Sequence, residues 1–236
     1  MNLSRSPLAA LAAALMASAP AAAHAASPAE TPAAAQAAEH SHDHAHDHSH
    51  DHAAAPADGK TIAQGYFDDA QVQERPLSDW QGDWQSVYPH LMAGTLDPVM
   101  KAKAEKGDKT QAEYRAYYET GYETDVDRIE IDGDKVTFHR ATGAVTGQYA
   151  DDGHEVLTYD KGNRGVRYSF RKVGGDAAAP GYIQFSDHKI APEQADHYHL
   201  YWGDDRAAVL AELTNWPTYY PSRMDAAGVL AEMLAH

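Results

Sequence analysis

Two groups of histidines have a spacing that suits metal ligands. The first is the tract HSHDHAHDHSHDH, which runs from His40 to His52 and has histidine at every second position. The second lies in DHKIAPEQADHYH, residues 187–199, where a His-x-His pair follows a third histidine. The chain has no cysteine, so imidazole and carboxylate are the ligands available for a transition metal. Both groups therefore predict the binding of a metal such as zinc.

The second group is predicted to form one site. His197 and His199 alternate along a predicted strand, so their rings point to the same side. His188 ends the preceding predicted strand, and the connection between the two strands contains Pro192. An antiparallel turn there would bring His188 beside the pair. Three imidazoles could then each approach one zinc ion to about 2.1 Å, with a fourth position left for water or a transient ligand. The simpler alternative is three ordinary strand histidines.

The strand that carries the pair is predicted to have two different faces. Tyr198, Leu200 and Trp202 form a face that we interpret as packing residues. The two histidines share the inner, polar side with Tyr201, next to the ion.

The histidine tract is predicted to be an auxiliary arm of low affinity. It has no scaffold to fix a geometry, and its regular spacing offers many equivalent weak sites. The residues concerned are His40, His42, His44, His46, His48, His50 and His52. Several weak sites on a flexible chain raise the local zinc concentration, so the arm is expected to collect zinc for the triad. Zinc on the arm should be released at about pH 6.5, because binding requires neutral imidazole.

The other histidines and one acidic run are predicted to have no metal role. We interpret the scattered histidines as surface or structural residues: His90, His139, His154 and His236. Four acids resemble a calcium loop: Asp125, Asp127, Asp132 and Asp134. However, Ile129 stands where the third loop ligand should be, and Asp132-Gly133 is explained as a turn.

Composition divides the chain into three parts. Residues 1–25 contain one charge, Arg5, followed by a short apolar run and a small-x-small cleavage pattern, which predict a secretory signal peptide. Residues 26–59 are rich in Ala and Pro and hold the histidine tract, so they are predicted to be disordered. Residues 60–236 are predicted to be the folded domain. The export signal favours a bacterial periplasm.

The charge of the chain indicates which partners are unsuitable. Its formal net charge is −16, which repels nucleic acid and anionic lipid and attracts cations. We expect no nucleic-acid partner, no membrane insertion after cleavage of the signal, and a monomer.

Within residues 60–236 the pattern begins as a strand followed by helices. SDWQGDWQSVYPHL, residues 78–91, predicts a strand. Asp97-Pro98 predicts an N-cap followed by proline at the first helical position, in a helix that ends at Gly107. A capping box at Thr110–Glu113 predicts a second helix. Its core-facing side is predicted to consist of Tyr114, Tyr117, Tyr118 and Tyr122.

Beyond Gly121 short alternating segments recur at roughly 8–12-residue spacing, which is typical of meandering sheets or barrels. Asp132-Gly133 predicts a hairpin turn. DDRAAVLAELTNW, residues 204–216, and the last twelve residues predict two closing helices. The first of these would place Val209, Leu210, Leu213 and Trp216 on one side. The whole pattern predicts a mainly β fold, a small antiparallel barrel with appended helices.

Six separated segments resemble, in the same order, the ZinT (YodA) family of periplasmic zinc-binding proteins. They are LSDWQGDWQSVYPHL, GVRYSFRK, YIQFSDHKIAP, HYHLYWG, NWPTYYP and EMLAH. The resemblance covers about residues 59–236 and implies a calycin, lipocalin-like β-barrel with a helical portion. It implies a buried zinc held by three histidines, which fall on His188, His197 and His199, with water or an exogenous ligand as the fourth. It also implies delivery of zinc, under zinc limitation, to the periplasmic binding protein of a zinc ABC importer. Cadmium can occupy such sites.

Two other functions remain open. Three histidines with a zinc-bound water are also the arrangement of a zinc hydrolase or hydratase, which needs a general acid or base near the open position. Asp187, Glu193 and Asp196 lie near the ligands in sequence, and we interpret them as groups that orient the imidazoles or are simply solvated. A lipocalin-like carrier of small apolar ligands is the third possibility, against which polar histidines argue. We therefore expect a binding protein and not an enzyme.

Overall fold

The structure is a computed structural model that describes residues 60–159, 162–212 and 214–235. The predicted signal peptide, residues 1–25, and the predicted arm, residues 26–59, lie outside the described part. The described residues all belong to one compact unit. None of their helices has the length and apolar character needed to cross a membrane.

Eight antiparallel strands close into a barrel, in which each strand pairs with the next in sequence and the last pairs with the first. The strands are β1 Gly82–Ser86, β2 Val126–Asp132, β3 Lys135–Arg140, β4 Gly143–Thr158, β5 Arg164–Gly175, β6 Tyr182–Ser186, β7 Tyr198–Gly203 and β8 Thr218–Pro221. The prediction of a mainly β, antiparallel barrel is confirmed. The predicted hairpin is the β2–β3 connection, where Gly133 has a φ of 61° that favours glycine.

Five α-helices are attached to this barrel. They are α1 Tyr88–Met92, α2 Asp97–Lys106, α3 Gln111–Tyr122, α4 Arg206–Ala211 and α5 Ala226–Ala235. Three short 3-10 helices precede β1: Ile62–Gln64, Asp69–Gln71 and Leu77–Trp80. The capping box predicted for α3 is confirmed. The Thr110 hydroxyl accepts from the Glu113 N–H at 3.2 Å, and the Glu113 carboxylate accepts from the Thr110 N–H at 2.8 Å.

The inside of the barrel is filled by one apolar cluster that includes residues of all eight strands. The rings of Phe138 on β3 and Trp202 on β7 lie 6.0 Å apart, although three strands separate them in either direction around the barrel. Only side chains that point into the interior can meet in this way. Trp80 is fully buried in the same cluster and stacks on Phe185 at 4.6 Å. The alternate residues of these strands must therefore face outward.

A second apolar cluster lies outside the barrel and joins the helices to β8. It includes buried residues of α1, α2, α3 and α5 together with Tyr220. Tyr220 alternates with Tyr219, which belongs to the interior cluster, so the ring of Tyr220 faces outward. The helices thus cover an outer face of the barrel.

The first predicted strand is shorter than residues 78–91. Only Gly82–Ser86 pair with neighbouring strands, whereas Trp80 ends a 3-10 helix and Tyr88 begins α1. Pro89 lies in the first turn of α1, where its fixed φ favours a helix. The next predicted boundary was wrong by one residue, because Leu96 is the N-cap and Asp97 is already helical.

The helix predicted over residues 204–216 was too long. The helix α4 ends at Ala211, and Glu212 has an extended backbone. The Glu212 side chain accepts from the backbone N–H groups of Thr214 at 2.6 Å and Asn215 at 3.0 Å, and these bonds stabilise a turn in place of a helix. Val209, on the predicted apolar side, is buried, whereas Leu213 lies outside the described residues. The strand β8, which follows this turn and closes the barrel, was not predicted.

Candidate metal site

The structure brings His188, His197 and His199 to the wall of one cavity of about 530 Å³. The His197 ring centroid is 5.3 Å from that of His188 and 6.4 Å from that of His199. The antiparallel turn predicted between β6 and β7 is present, with Ser186 paired to His199. Two positions differ from the prediction. His188 lies two residues beyond the end of β6, and His197 lies just before β7 begins.

The histidines face away from the barrel interior, so the prediction of an inner, polar side was wrong. Tyr198 and Leu200 are fully buried in the interior cluster, and Trp202 packs against it, as expected for packing residues. His199 alternates with them and pairs with Thr218 of β8 on the outer surface. The apolar residues fill the inside of the barrel, and the polar face of β7 lies towards the surrounding helices and loops.

Aromatic residues of the helical cover form much of the cavity wall. Tyr117, Tyr118 and Tyr122 reach it from α3, and Tyr220 reaches it from β8. The tyrosines of α3 were predicted to form its core-facing side. This holds for Tyr122, which is 5% exposed, but not for Tyr117, which is 49% exposed. The helical spacing predicted that these tyrosines share one side of a helix, but it gave no indication that this side borders the histidines.

A backbone carbonyl group fixes the tautomer of His188. Its Nδ1 lies 3.0 Å from the carbonyl oxygen of Ala63, which also borders the cavity. A carbonyl oxygen only accepts, so Nδ1 must carry the proton and the ring lone pair must lie on Nε2. Metal-binding histidines commonly donate their second ring N–H to a carbonyl or carboxylate in this manner.

A hydroxyl group performs the same task for His199. The Thr218 hydroxyl donates to the carbonyl oxygen of Trp216 at 2.9 Å, so its oxygen accepts from Nδ1 of His199 at 2.7 Å. The lone pair of His199 therefore also lies on Nε2. Burial lowers the pKa of His199 to about 3, and the neighbouring His197, His188 and Arg167 act in the same direction. The ring is thus neutral at neutral pH, as a metal ligand must be.

The third ring is oriented by stacking. The His197 ring lies on that of Tyr220 at 4.9 Å, with 12° between the planes. As the side chains stand, no group of three or more His, Asp or Glu residues in the described ranges is arranged to hold an ion. Rotations of the rings are therefore required to bring three nitrogens to about 2.1 Å from one zinc ion.

The buried guanidinium group of Arg75 holds the loop that carries His188 and His197. It is 1% exposed, and it pairs with Asp187 at 2.7 Å and with Asp79 at 2.9 Å. It also donates to the carbonyl oxygen of Glu193 at 2.7 Å. These bonds tie the chain before β1 to two points of the β6–β7 loop, Asp187 at its start and Glu193 within it. Sequence reasoning did not identify Arg75, because its partners in the loop, Asp187 and Glu193, are more than 100 residues away along the chain.

The acids near the histidines serve this loop. Asp187 pairs with Arg75, whereas Glu193 and Asp196 pair with Lys189 at 2.8 and 3.0 Å. These pairs give the three acids a role in fixing the loop, and their predicted role in orienting the imidazoles stays a prediction.

The scattered histidines have structural partners elsewhere. His90 contacts Gln85, His139 contacts Glu130 and His154 contacts Glu74, each within 3.1 Å. His236 and the seven histidines of the tract lie outside the described residues.

The chain is similar to a family of zinc-recruitment proteins. The family described as ZinT (YodA) periplasmic lipocalin-like zinc-recruitment matches residues 58–236. The probable metal-binding protein YrpE of Bacillus subtilis is 58% identical over 176 residues, which are 74% of this chain and 70% of YrpE. The zinc-binding protein AdcA of Streptococcus pyogenes serotype M1 is 53% identical over 182 residues, which are 75% of this chain and 35% of AdcA.

A solved structure has the same fold. The crystal structure of the Zn(II)-bound ZinT-like domain of Streptococcus pneumoniae AdcA has a TM-score of 0.72 and 46% identity. The match covers 75% of this chain and 99% of that domain. The predicted lipocalin-like barrel is thereby confirmed. The chain spans about a third of AdcA, so the activity of the whole of AdcA is not carried over to it.

Proposed function

Because the chain belongs to the ZinT (YodA) family of zinc-recruitment proteins, we propose that it binds zinc at His188, His197 and His199 and delivers it to a partner. The proposed partner is the periplasmic binding protein of a zinc ABC importer. One observation carries the proposal. Three imidazoles border one cavity, and two of them have Nδ1 bonded to an oxygen that leaves the lone pair on Nε2.

The geometry suits transfer as well as binding. Three nitrogen ligands leave one position of a tetrahedral zinc site open, and this position would face the cavity. A ligand from the partner could enter there before the histidines release the ion. Periplasmic location is part of the proposal, in line with the description of the family.

The hydrolase or hydratase alternative has less support. None of the residues found to line this cavity within the described ranges is Asp or Glu, so the cavity itself offers no carboxylate as a general base. The carrier alternative also has less support, because aromatic and aliphatic side chains fill the barrel interior.

The proposal also covers additional zinc ions and a second kind of metal ion. The histidine tract at residues 40–52 is proposed to hold further zinc weakly. Cadmium is proposed to compete for the same three ligands, since imidazole binds several divalent ions of this class.

The hydroxyl group of Thr218 should be necessary for tight zinc binding. Thr218→Val keeps the shape of the side chain but removes the acceptor for His199 Nδ1–H, so the ring is no longer held in one tautomer. We expect the affinity of the tightest zinc equivalent to fall by roughly 10- to 100-fold. Competition with a coloured zinc chelator measures this value. Thr218→Ser, which keeps the hydroxyl, should stay close to wild type. Equal affinities in the Val and Ser variants would show that the bond does not orient His199.

If the protein delivers zinc, the ion should pass from it to the importer's binding protein while the two proteins are in direct contact. Zinc-loaded protein is mixed with the metal-free binding protein from the same organism, and the rate at which zinc appears on the acceptor is followed. Direct transfer makes this rate rise with acceptor concentration. An unrelated metal-free zinc protein serves as the control acceptor, for which the rate should level off at that of spontaneous dissociation. The same plateau with both acceptors would leave zinc binding intact but contradict delivery.

A further inference from the structure

The cavity beside the three histidines is much larger than a water ligand requires. A water molecule occupies about 30 Å³ of liquid, whereas the cavity measures about 530 Å³. Pockets for small organic ligands span about 300–1,000 Å³ and combine aromatic walls with a few polar groups. The cavity therefore has the size of a small-molecule site.

The charge of this cavity is unusual for the chain. The sequence has 35 acidic residues, but none is found among the cavity-lining residues that the structure describes. The one charged side chain among them is Lys103 of α2. Three neutral imidazoles do not offset the two positive charges of zinc, and the ammonium group of Lys103 adds a third. A loaded site would thus present uncompensated positive charge to whatever fills the cavity.

Acids on the other side of the histidines do not remove this imbalance. His188 and His197 also border a second cavity of about 520 Å³. The acids at that cavity are Asp187, Asp196 and Glu232, and they are accompanied by Lys189 and Arg223. Asp187 is in addition paired with Arg75, and Asp196 is paired with Lys189. The second cavity is therefore close to neutral.

The first cavity also contains hydrogen-bond donors suited to an anion. Tyr118, Tyr122 and Tyr220 are among the lining residues, and each carries a hydroxyl group that can donate a hydrogen bond. A phenol hydroxyl is protonated at neutral pH, so all three can act as donors. Lys103 lies over the Tyr118 ring, with Nζ 5.7 Å from the centroid.

We propose that the site binds zinc together with a small dicarboxylate. One carboxylate would occupy the open position on zinc, and the other would lie against Lys103 and the tyrosine hydroxyls. Two negative charges would offset most of the positive charge of the loaded cavity. The inference rests on the proposed zinc site and specifies the ligand that accompanies the ion.

The test uses the full chain loaded with one equivalent of zinc, and loading is verified first. Malonate, succinate, glutarate and the monocarboxylate acetate are titrated by calorimetry into loaded and metal-free protein. We expect at least one dicarboxylate to bind the loaded protein at least tenfold more tightly than acetate does, and more tightly than the metal-free protein. The length of the dicarboxylate that binds most tightly then indicates the distance between the zinc ion and the Lys103 ammonium group.

Lys103→Gln should abolish the preference for the dicarboxylate over acetate. Lys101→Gln, on the same helix but exposed and outside the cavity lining, should retain it. Loaded protein that binds acetate and the dicarboxylates equally would overturn the proposal, as would a preference that survives Lys103→Gln. A protein that takes up no tight zinc would contradict the proposed function itself, so the two failures are distinguishable.

Discussion

His197→Ala is expected to remove the tightest zinc equivalent of the protein. The His197 ring lies near the rings of both other histidines. Its loss removes one of the three proposed ligands and leaves only two for the ion. The decrease in affinity should exceed the roughly 100-fold that follows loss of an outer-shell partner. Calorimetry or chelator competition with the purified, metal-free protein measures it.

Two controls make this result specific. His139→Ala removes a histidine that bonds Glu130 away from the cavity, and it should leave tight binding unchanged. Deletion of residues 40–52 should lower the number of zinc ions bound and leave the tightest one in place. Loss of tight binding on deletion of the tract, with His197→Ala unaffected, would reverse the ranking of the two histidine groups.

Arg75→Ala should destabilise the fold and weaken zinc binding together. The substitution leaves Asp187, whose side chain is 3% exposed, without its guanidinium partner, and it releases the loop between β6 and β7. Removing one partner of a buried ion pair typically lowers the free energy of unfolding by about 3–5 kcal/mol. For a domain of this size the midpoint of thermal unfolding should fall by roughly 10 °C. Urea and thermal unfolding of the metal-free protein measure the first effect, and chelator competition measures the second.

The matched control for this prediction is an arginine with similar bonds at the surface. Arg128 pairs with Asp83 through two hydrogen bonds of 2.6 and 2.7 Å, but its side chain is 39% exposed. Solvent screens such a pair, so Arg128→Ala should have a much smaller effect. If both variants unfolded with similar midpoints, burial of the Arg75 pairs would not contribute to the stability of the loop.

Local patterns in the sequence predicted the elements that depend on neighbouring residues. The capping box at Thr110–Glu113 and the turn at Asp132-Gly133 are both present, because each depends on contacts within a few residues. The His-x-His spacing predicted that His197 and His199 share one side, and both residues border the same cavity. In contrast, β8 has only four residues, of which the last is Pro221, and its pattern is too short to predict a strand.

The orientation of the site could not be derived from the sequence. A strand with period two shows which residues share a face, but both faces of β7 are covered, one by the barrel interior and one by helices and loops. The sequence also gives no sign that Ala63 and Thr218 hold the two rings, since each contact joins residues far apart in the chain or on separate strands. Tertiary packing decides these features.

The alternation along β7 has a consequence for how this protein can change during evolution. His199 is followed by Leu200, so an insertion or deletion of one residue in this strand would turn the histidine into the packed core and the leucine out to the cavity. Both stability and metal affinity would be lost in one step. Changes of length should therefore be tolerated poorly in β7, whereas substitution of the half-exposed Tyr117 of α3 would change the cavity wall without removing a side chain of the barrel interior.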